Sequence, residues 1–343
     1  MRFSSIAAVL ALALVDTSAA GSGSANLPLA AATRGRTESG VMLLRPVPSG
    51  RVRMSGAFTM GSQEIEVRRG VGLCEREPLG TTTHRVVVPP GIETSQSRCL
   101  DVGLQSEMPA HRVTLSPYLI DRTEVTVEAY DRCVHAGACD TPGFNRGDAH
   151  FDRPDFPVTH VTREDGASYC AWAHGRLPTE AEWEFAARGV EQRTFPWGEL
   201  YNPHLANHGS FAVDDLDATD GFLGLAPVGS FPDGATPEGV LDLAGNVAEW
   251  VTDLLLLIQP PTPPTPPPPR FGPLPPPPQK PQPTVEEYSV APQVNPVSTG
   301  GGIRVARGGS YDHGAYALRS AARMRFTTSV KVPSIGFRCA ETL

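Results

Sequence analysis

The residues most able to do chemistry form a short polar run, Ser310-Tyr311-Asp312-His313. A histidine beside a carboxylate suits a metal site, because imidazole and carboxylate oxygens are both metal ligands. No second histidine and no further carboxylate accompanies His313 between residues 307 and 323, so the alternative is a histidine with a packing or surface role. Ser310 has no base directly beside it, and the pattern does not predict a Ser/His/Asp hydrolase.

The six cysteines are predicted to form three disulfides, Cys133–Cys139, Cys74–Cys99 and Cys170–Cys339. Six cysteines allow 15 pairings, so spacing has to decide between them. The first pair flanks a turn-like stretch, the second brackets a polar loop, and the third is the pair that remains and closes a large loop. No Cys-x-x-Cys occurs, which leaves a zinc ribbon or a thioredoxin-type redox pair without support.

Two helices and one strand are predicted to position these residues. Threonine begins each helix, over 162–175 and 179–189, and an acidic residue follows three positions later, as in a capping box. A weaker helix covers about 126–136. Residues 111–119 alternate apolar with polar side chains and predict a strand, whereas residues 63–106 are expected to be a polar excursion.

The second helix carries three glutamates that resemble a catalytic acid cluster. Glu182 is expected to close the capping box, while Glu180 and Glu184 are expected to lie solvated near the helix N-terminus. Arg323 and Arg338 are expected to form structural ion pairs. We therefore expect no acid–base catalysis from this helix.

Composition narrows the class of protein. The chain has 343 residues, 40% of them hydrophobic, with 34 glycines and 35 prolines. Such a chain can bury a sizeable core but does not favour long helices. Its formal net charge of −8 argues against duplex nucleic acid or an anionic membrane as a partner.

The first twenty residues are typical of a secretory signal. Arg2 precedes an apolar run over 6–15, and the small residues 18–20 precede a cleavage point at Gly21. Ten apolar residues are too few to span about 30 Å of hydrocarbon; a buried N-terminal helix is the alternative. We expect export to the periplasm or the extracellular space, which favours disulfides over free thiols.

A proline-rich insertion interrupts the predicted domain. Of the 35 prolines, 15 lie between Pro260 and Pro283, and this tract predicts extended polyproline conformation. The predicted organisation is a signal peptide at 1–20, a disordered leader at 21–40 and one domain at 41–343 with the insertion at 259–284. The insertion is either a docking site for proline-recognising modules or a tolerated surface loop.

Seven segments occur in a fixed order, Ser55–Ser62, Glu107–Val113, Gly175–Glu184, Phe195–Gly198, Gly245–Trp250, Arg307–Ser310 and Gly336–Cys339. Together they resemble the formylglycine-generating enzyme family, also called sulfatase-modifying factors, over about residues 41–341. The resemblance implies a single α+β domain related to C-type lectins, with little regular secondary structure and much ordered loop. It also implies the Cys170–Cys339 disulfide.

Catalytic members of that family oxidise a sulfatase cysteine to formylglycine with copper and molecular oxygen. Their copper ligands are two cysteines shortly after the Arg-Gly-Gly-Ser segment, since thiolates suit copper(I). Residues 307–323 contain no cysteine. His313 stands where the first would be, the second falls at or near Ala315, and Ser310 heads the family's substrate groove. We therefore do not expect copper as a cofactor.

The resemblance further implies two structural calcium sites with all-oxygen ligands. The ligands would be Asn207, His208, Asp220 and Phe222 in one site, and Asp242, Gly245, Val247 and Glu249 in the other. His208, Phe222, Gly245 and Val247 would contribute carbonyls. The acidic residues 214–221 favour a cation on charge alone; a solvated acidic loop is the alternative.

Three functions remain open. The first is a non-oxidase binding or scaffold module that holds a protein or peptide ligand in the groove. The second is a formylglycine-generating oxidoreductase with altered ligands such as His313, and the third is another metal-dependent enzyme. The absence of any cysteine from residues 310–325 favours the first.

Overall fold

The computed structural model describes residues 50–76, 104–209, 218–255, 257–258, 284–285, 289–326 and 330–343. These residues belong to one unit, Arg45–Leu343. The predicted signal peptide and leader, Cys99, the acidic residues 214–217 and residues 260–283 of the insertion lie outside the described residues.

The predicted strand is the centre of the first sheet. Strand β2 (His111–Asp121) buries alternate side chains such as Val113 and Leu115, which confirms the alternation seen in the sequence. It pairs antiparallel with β1 (Arg51–Met60) and β10 (Ala340–Thr342), and parallel with β6 (Gln293–Val294).

The second sheet carries the loop that contains His313. Its strands are β3 (Ala248–Leu255), β7 (Ile303–Arg307), β8 (Arg323–Phe326) and β9 (Ile335–Gly336), in the order β8-β7-β3-β9. A third, two-stranded sheet pairs β4 (Leu257–Ile258) with β5 (Thr284–Val285). Because β7 and β8 are antiparallel neighbours, residues 308–322 form the connection between them.

Four helices lie in the described residues: α1 (Glu64–Arg76), α2 (Val127–His135), α3 (Arg163–Trp172) and α4 (Glu180–Arg188). Complete capping boxes begin α3 and α4, which confirms both helices and their start signals. The prediction of a polar excursion over 63–106 was wrong for its first part, where α1 lies. This helix buries Val67 and Val71 with few other side chains, so its apolar pattern in the sequence is weak.

Two disulfides join described residues, Cys133–Cys139 and Cys170–Cys339, as predicted. Cys74 is disulfide-bonded as well, and its predicted partner Cys99 lies outside the described residues. No helix in the described ranges is long and apolar enough to cross a membrane.

The glutamates of α4 correct the expectation that they are solvated. Glu180 and Glu184 are 2% and 0% exposed, because α4 packs against the second sheet. Arg323 on β8 pairs with both carboxylate oxygens of Glu180 at 2.6 and 2.8 Å, and Arg307 on β7 donates to Glu184 at 2.5 Å. The role of Arg323 in a structural ion pair is therefore confirmed.

Candidate functional site

The connection between β7 and β8 brings three polar side chains together. Ser310 Oγ lies 2.5 Å from Asp312 Oδ1 and 2.5 Å from His313 Nδ1, and the latter two atoms are 2.8 Å apart. Ser310 is fully buried, and the backbone holds the group in place, since the His313 N–H donates to the Ser310 carbonyl. Sequence reasoning identified each residue but not this cluster.

The cluster is not a hydrolytic triad, although a base does lie beside the Ser310 hydroxyl. A triad places serine and carboxylate on opposite imidazole nitrogens, whereas here both contact Nδ1. Because Asp312 Oδ1 is an acceptor, Nδ1 donates to it, and Nε2 is the ring nitrogen that the cluster leaves available. Burial alone would raise the pKa of Asp312, but hydrogen bonds from His313, Ser310 and Ser334 and the His313 charge lower it.

His313 lines a cavity of about 340 Å³, together with Leu104, Glu107, Tyr316, Ala317, Ala322, Arg323, Met324, Arg325 and Phe326. This cavity is referred to below as the His313 groove. All four residues of β8 contribute to its wall. Ala315 is buried and is not among the lining residues. The groove therefore has the His313 ring at its wall, where the catalytic members of the resembled family have cysteines.

A second cavity, of about 320 Å³, lies between α4 and residues 289–298. Asp253 lines it and accepts hydrogen bonds from the backbone N–H groups of Glu180 and Ser298. Burial, followed by the Glu180 charge, raises the pKa of Asp253 to about 6. Its carboxylate fixes two backbone segments, which is a structural role.

The first predicted calcium set is assembled around Asp220. Its carboxylate accepts the backbone N–H of His208 at 2.7 Å and that of Phe222 at 2.8 Å. Asn207 is 1% exposed and donates to the Gly224 carbonyl and to Asn246. All four residues predicted for this site are thus brought to one place.

The side-chain oxygen of Asn207 is the unsatisfied atom at this place. Asn207 Oδ1 is buried and has no hydrogen-bond partner among the described residues, and an unsatisfied buried oxygen is costly unless something binds it. Gly245 packs directly on this residue with φ of +80°, and an added Cβ would lie 1.9 Å from the Asn207 carbonyl. The two predicted calcium sets are therefore neighbours.

Beside the second predicted set lies a carboxyl group that was not predicted from the sequence, that of Glu124. Asp242 shares a side-chain hydrogen bond with Glu124, which requires a proton on one of the two carboxyl groups. Burial, then the charges of Asp242 and Glu249, raises the pKa of Glu124 well above its usual range. No pattern in the sequence singles it out, because Glu124 follows Asp121, Arg122 and Thr123 in a polar stretch just after β2.

Glu249, predicted as a calcium ligand, is engaged by two neighbouring side chains. Arg338 donates to both of its carboxylate oxygens at 2.6 and 2.7 Å, and Trp183 Nε1 donates to one of them at 2.8 Å. The ion pair expected for Arg338 is therefore confirmed, with Glu249 as its partner. In the described part of the chain no group of three His, Cys, Asp or Glu is placed to hold one metal ion; calcium also accepts amide and carbonyl oxygens.

Comparison with known proteins places the chain in a family. Residues 71–343 match the sulfatase-modifying factor enzyme 1-like domain. The formylglycine-generating enzyme of Mus musculus is 30% identical over 310 residues, covering 75% of each protein. The inactive C-alpha-formylglycine-generating enzyme 2 of Bos taurus is 35% identical over 193 residues, covering 55% of this chain and 52% of its own length.

A solved structure agrees with this assignment. PvdO from Pseudomonas aeruginosa aligns with a TM-score of 0.56 and 25% identity, covering 85% of this chain and 94% of its own. That likeness covers most of the chain, and it supports the mixed helix-and-sheet fold that the resemblance implied. The chain belongs to the sulfatase-modifying factor enzyme 1-like family, which includes the formylglycine-generating enzymes.

Proposed function

We propose that this chain is an exported binding module of its family, which holds a peptide ligand in the His313 groove and does not perform copper-dependent oxidation. The observation that carries the proposal is the Ser310–Asp312–His313 cluster at the groove wall. It occupies the place where the catalytic members have their first copper-binding cysteine.

The donor atoms of the groove do not fit copper(I). Residues 307–323 contain no cysteine, and among the described residues no cysteine is a free thiol. His313 Nδ1 is engaged by Asp312 and Ser310, so one imidazole nitrogen remains where two thiolates would be needed. A family relative of Bos taurus is likewise named inactive.

The loops beside the groove fit structural calcium, and the proposal includes it. Asn207 Oδ1 is a buried oxygen without a partner, and the Glu124–Asp242 pair needs a proton or a cation between its carboxyl groups. Bound calcium would neutralise these oxygens and fix the loops, without a chemical step. Export, through residues 1–20 as a signal peptide, belongs to the same proposal and agrees with the disulfides.

An oxidation assay tests the absence of the family chemistry. The purified chain is incubated with copper(I), oxygen and a peptide containing the sulfatase Cys-x-Pro-x-Arg sequence, and the peptide is analysed by mass spectrometry. We expect the cysteine to remain unmodified. The formylglycine-generating enzyme of Mus musculus, run in parallel, provides the positive control.

Formation of the aldehyde would overturn the proposal and favour an oxidoreductase with altered ligands. In that case the His313→Ala variant should lose activity, whereas a His150→Ala control, at an exposed site outside the groove, should keep it.

A further inference from the structure

The His313 groove has an uneven charge, which points to the kind of peptide it accepts. Two of the charged residues on its wall are buried, and both are neutralised within the protein. Arg319 donates to both oxygens of Glu107 at 2.9 and 2.5 Å. Arg323 pairs in the same bidentate manner with Glu180. The two wall residues, Glu107 and Arg323, are therefore each paired within the protein and leave no net charge for a ligand.

Arg325 is the charge that remains. It lies on β8, is exposed, and lines the groove. Within the described ranges its guanidinium has no ion pair or hydrogen bond, in contrast to Arg323 two residues earlier. A guanidinium presents a rigid fork of donors that matches a carboxylate, so Arg325 favours an anionic group in the groove.

The rest of the wall supplies an apolar surface and the imidazole ring of His313. Met324 and Phe326 flank Arg325 along the strand and line the same cavity. In the neutral ring with Nδ1 donating to Asp312, His313 Nε2 accepts a hydrogen bond from an N–H group. A ligand complementary to this wall combines a carboxylate, an N–H donor and an apolar side chain, as an acidic peptide does.

The strand itself favours an extended peptide. Strand β8 is at the edge of its sheet, in the order β8-β7-β3-β9, and no described strand pairs with its outer side. Edge strands can add a peptide through main-chain hydrogen bonds, with side-chain pockets giving specificity.

We propose that the His313 groove binds an acidic peptide segment along β8, with its carboxylate at Arg325. This inference rests on the proposed binding function and names the ligand class. It also implies that the groove disfavours the basic Cys-x-Pro-x-Arg segment of sulfatases, because the arginine of that segment would face Arg325.

A peptide array tests the charge preference. The probes are short peptides with randomised flanks and a central Glu, Gln or Lys, and the full chain is applied in calcium buffer. We expect retention in the order Glu, Gln, Lys. Arg325→Gln should weaken retention of the Glu peptides by about fivefold, the effect of one solvent-accessible ion pair, and should leave the Gln peptides unchanged.

The matched control is Arg112→Gln. Arg112 is an exposed arginine on β2 that does not line the groove, so this variant should behave as the unmodified chain. Equal retention of Glu and Gln peptides, or a Glu preference that survives Arg325→Gln, would overturn the inference while leaving groove binding intact. Failure to retain any peptide class would overturn the proposed binding function as well.

Discussion

The carboxylates of helix α4 are buried and those of the loops proposed to bind calcium are buried or half-buried, but the two groups differ in what neutralises them. In the α4 cluster, defined by Glu180, Glu184, Arg307 and Arg323, each carboxylate meets an arginine. In the loop cluster, defined by Asn207, Glu124 and Asp242, Asn207 Oδ1 has no hydrogen-bond partner among the described residues, and the two carboxyl groups face each other.

The difference shows which part of the domain is complete by itself. A buried charge must be paired or must change its protonation state. The α4 cluster is neutralised by arginine side chains on β7 and β8, so its stability should not require an ion from solution. The loop cluster has more oxygen than the chain can satisfy, so its stability should depend on a cation from solution. Three changes test this contrast.

The largest effect is expected from Glu184→Gln. Glu184 accepts hydrogen bonds from Arg307, Arg188 and the Gly61 N–H, and its removal leaves two buried arginines undercompensated. Breaking a buried ion pair from one side costs about 3–5 kcal/mol. The free energy of unfolding, measured by urea denaturation with calcium present, should fall by that amount.

Glu191→Gln is the matched control for this variant. Glu191 also pairs with an arginine, Arg193, but its side chain is 56% exposed, so the change should cost less than about 1 kcal/mol. Equal losses in the two variants would show that the α4 cluster does not depend on its buried pairs.

Calcium withdrawal should have the next largest effect. A ligand present at about 100 times its Kd stabilises the folded state by about 2.7 kcal/mol. EDTA should therefore lower the melting temperature by roughly 5–10 °C, and added calcium should restore it. Asn207→Ala should reduce the calcium-dependent shift, because it removes the buried Oδ1 from one of the two proposed sites.

The control for Asn207 is Asn202→Ala. Asn202 caps a short 3-10 helix by accepting from the His204 N–H at 3.0 Å, and it is not a predicted ligand. This variant should lower the melting temperature equally with and without calcium. A protein whose melting temperature does not respond to EDTA would contradict the calcium proposal.

Local sequence signals predicted much of this fold. The two capping boxes gave α3 and α4, and the alternation of Val113 and Leu115 gave β2. Such signals depend on neighbours in the chain. Helix α1 was missed because its apolar side is narrow and its contacts come from elsewhere in the fold.

The sequence motifs predicted individual site residues but not their contacts with residues distant in the chain. The motifs predicted Asp242 and Asn207 as calcium ligands and His313 near the family's groove, and His313 does line a cavity. They could not show that Glu124, more than 100 residues away from Asp242, shares a hydrogen bond with it. The burial of Glu180 and Glu184 was mispredicted for the same reason, since their arginine partners lie on distant strands.

The smallest expected effect is also the one whose sign is most informative. In Glu124→Gln the amide oxygen can keep the hydrogen bond from Asn246 Nδ2, and the amide nitrogen can donate to Asp242. Without calcium, this replaces a carboxyl pair by a satisfied hydrogen bond and should raise stability by about 1 kcal/mol. With calcium, the loss of one anionic oxygen should reduce the stabilisation that the ion provides.

The melting temperature of Glu124→Gln should therefore be higher than that of the unmodified chain in EDTA and lower than it in calcium. Glu128→Gln, at an exposed site on α2, should show no such reversal. If Glu124→Gln lowered stability equally in both conditions, Glu124 would act as a paired structural carboxylate like Glu184, and the contrast between the two buried regions would fail.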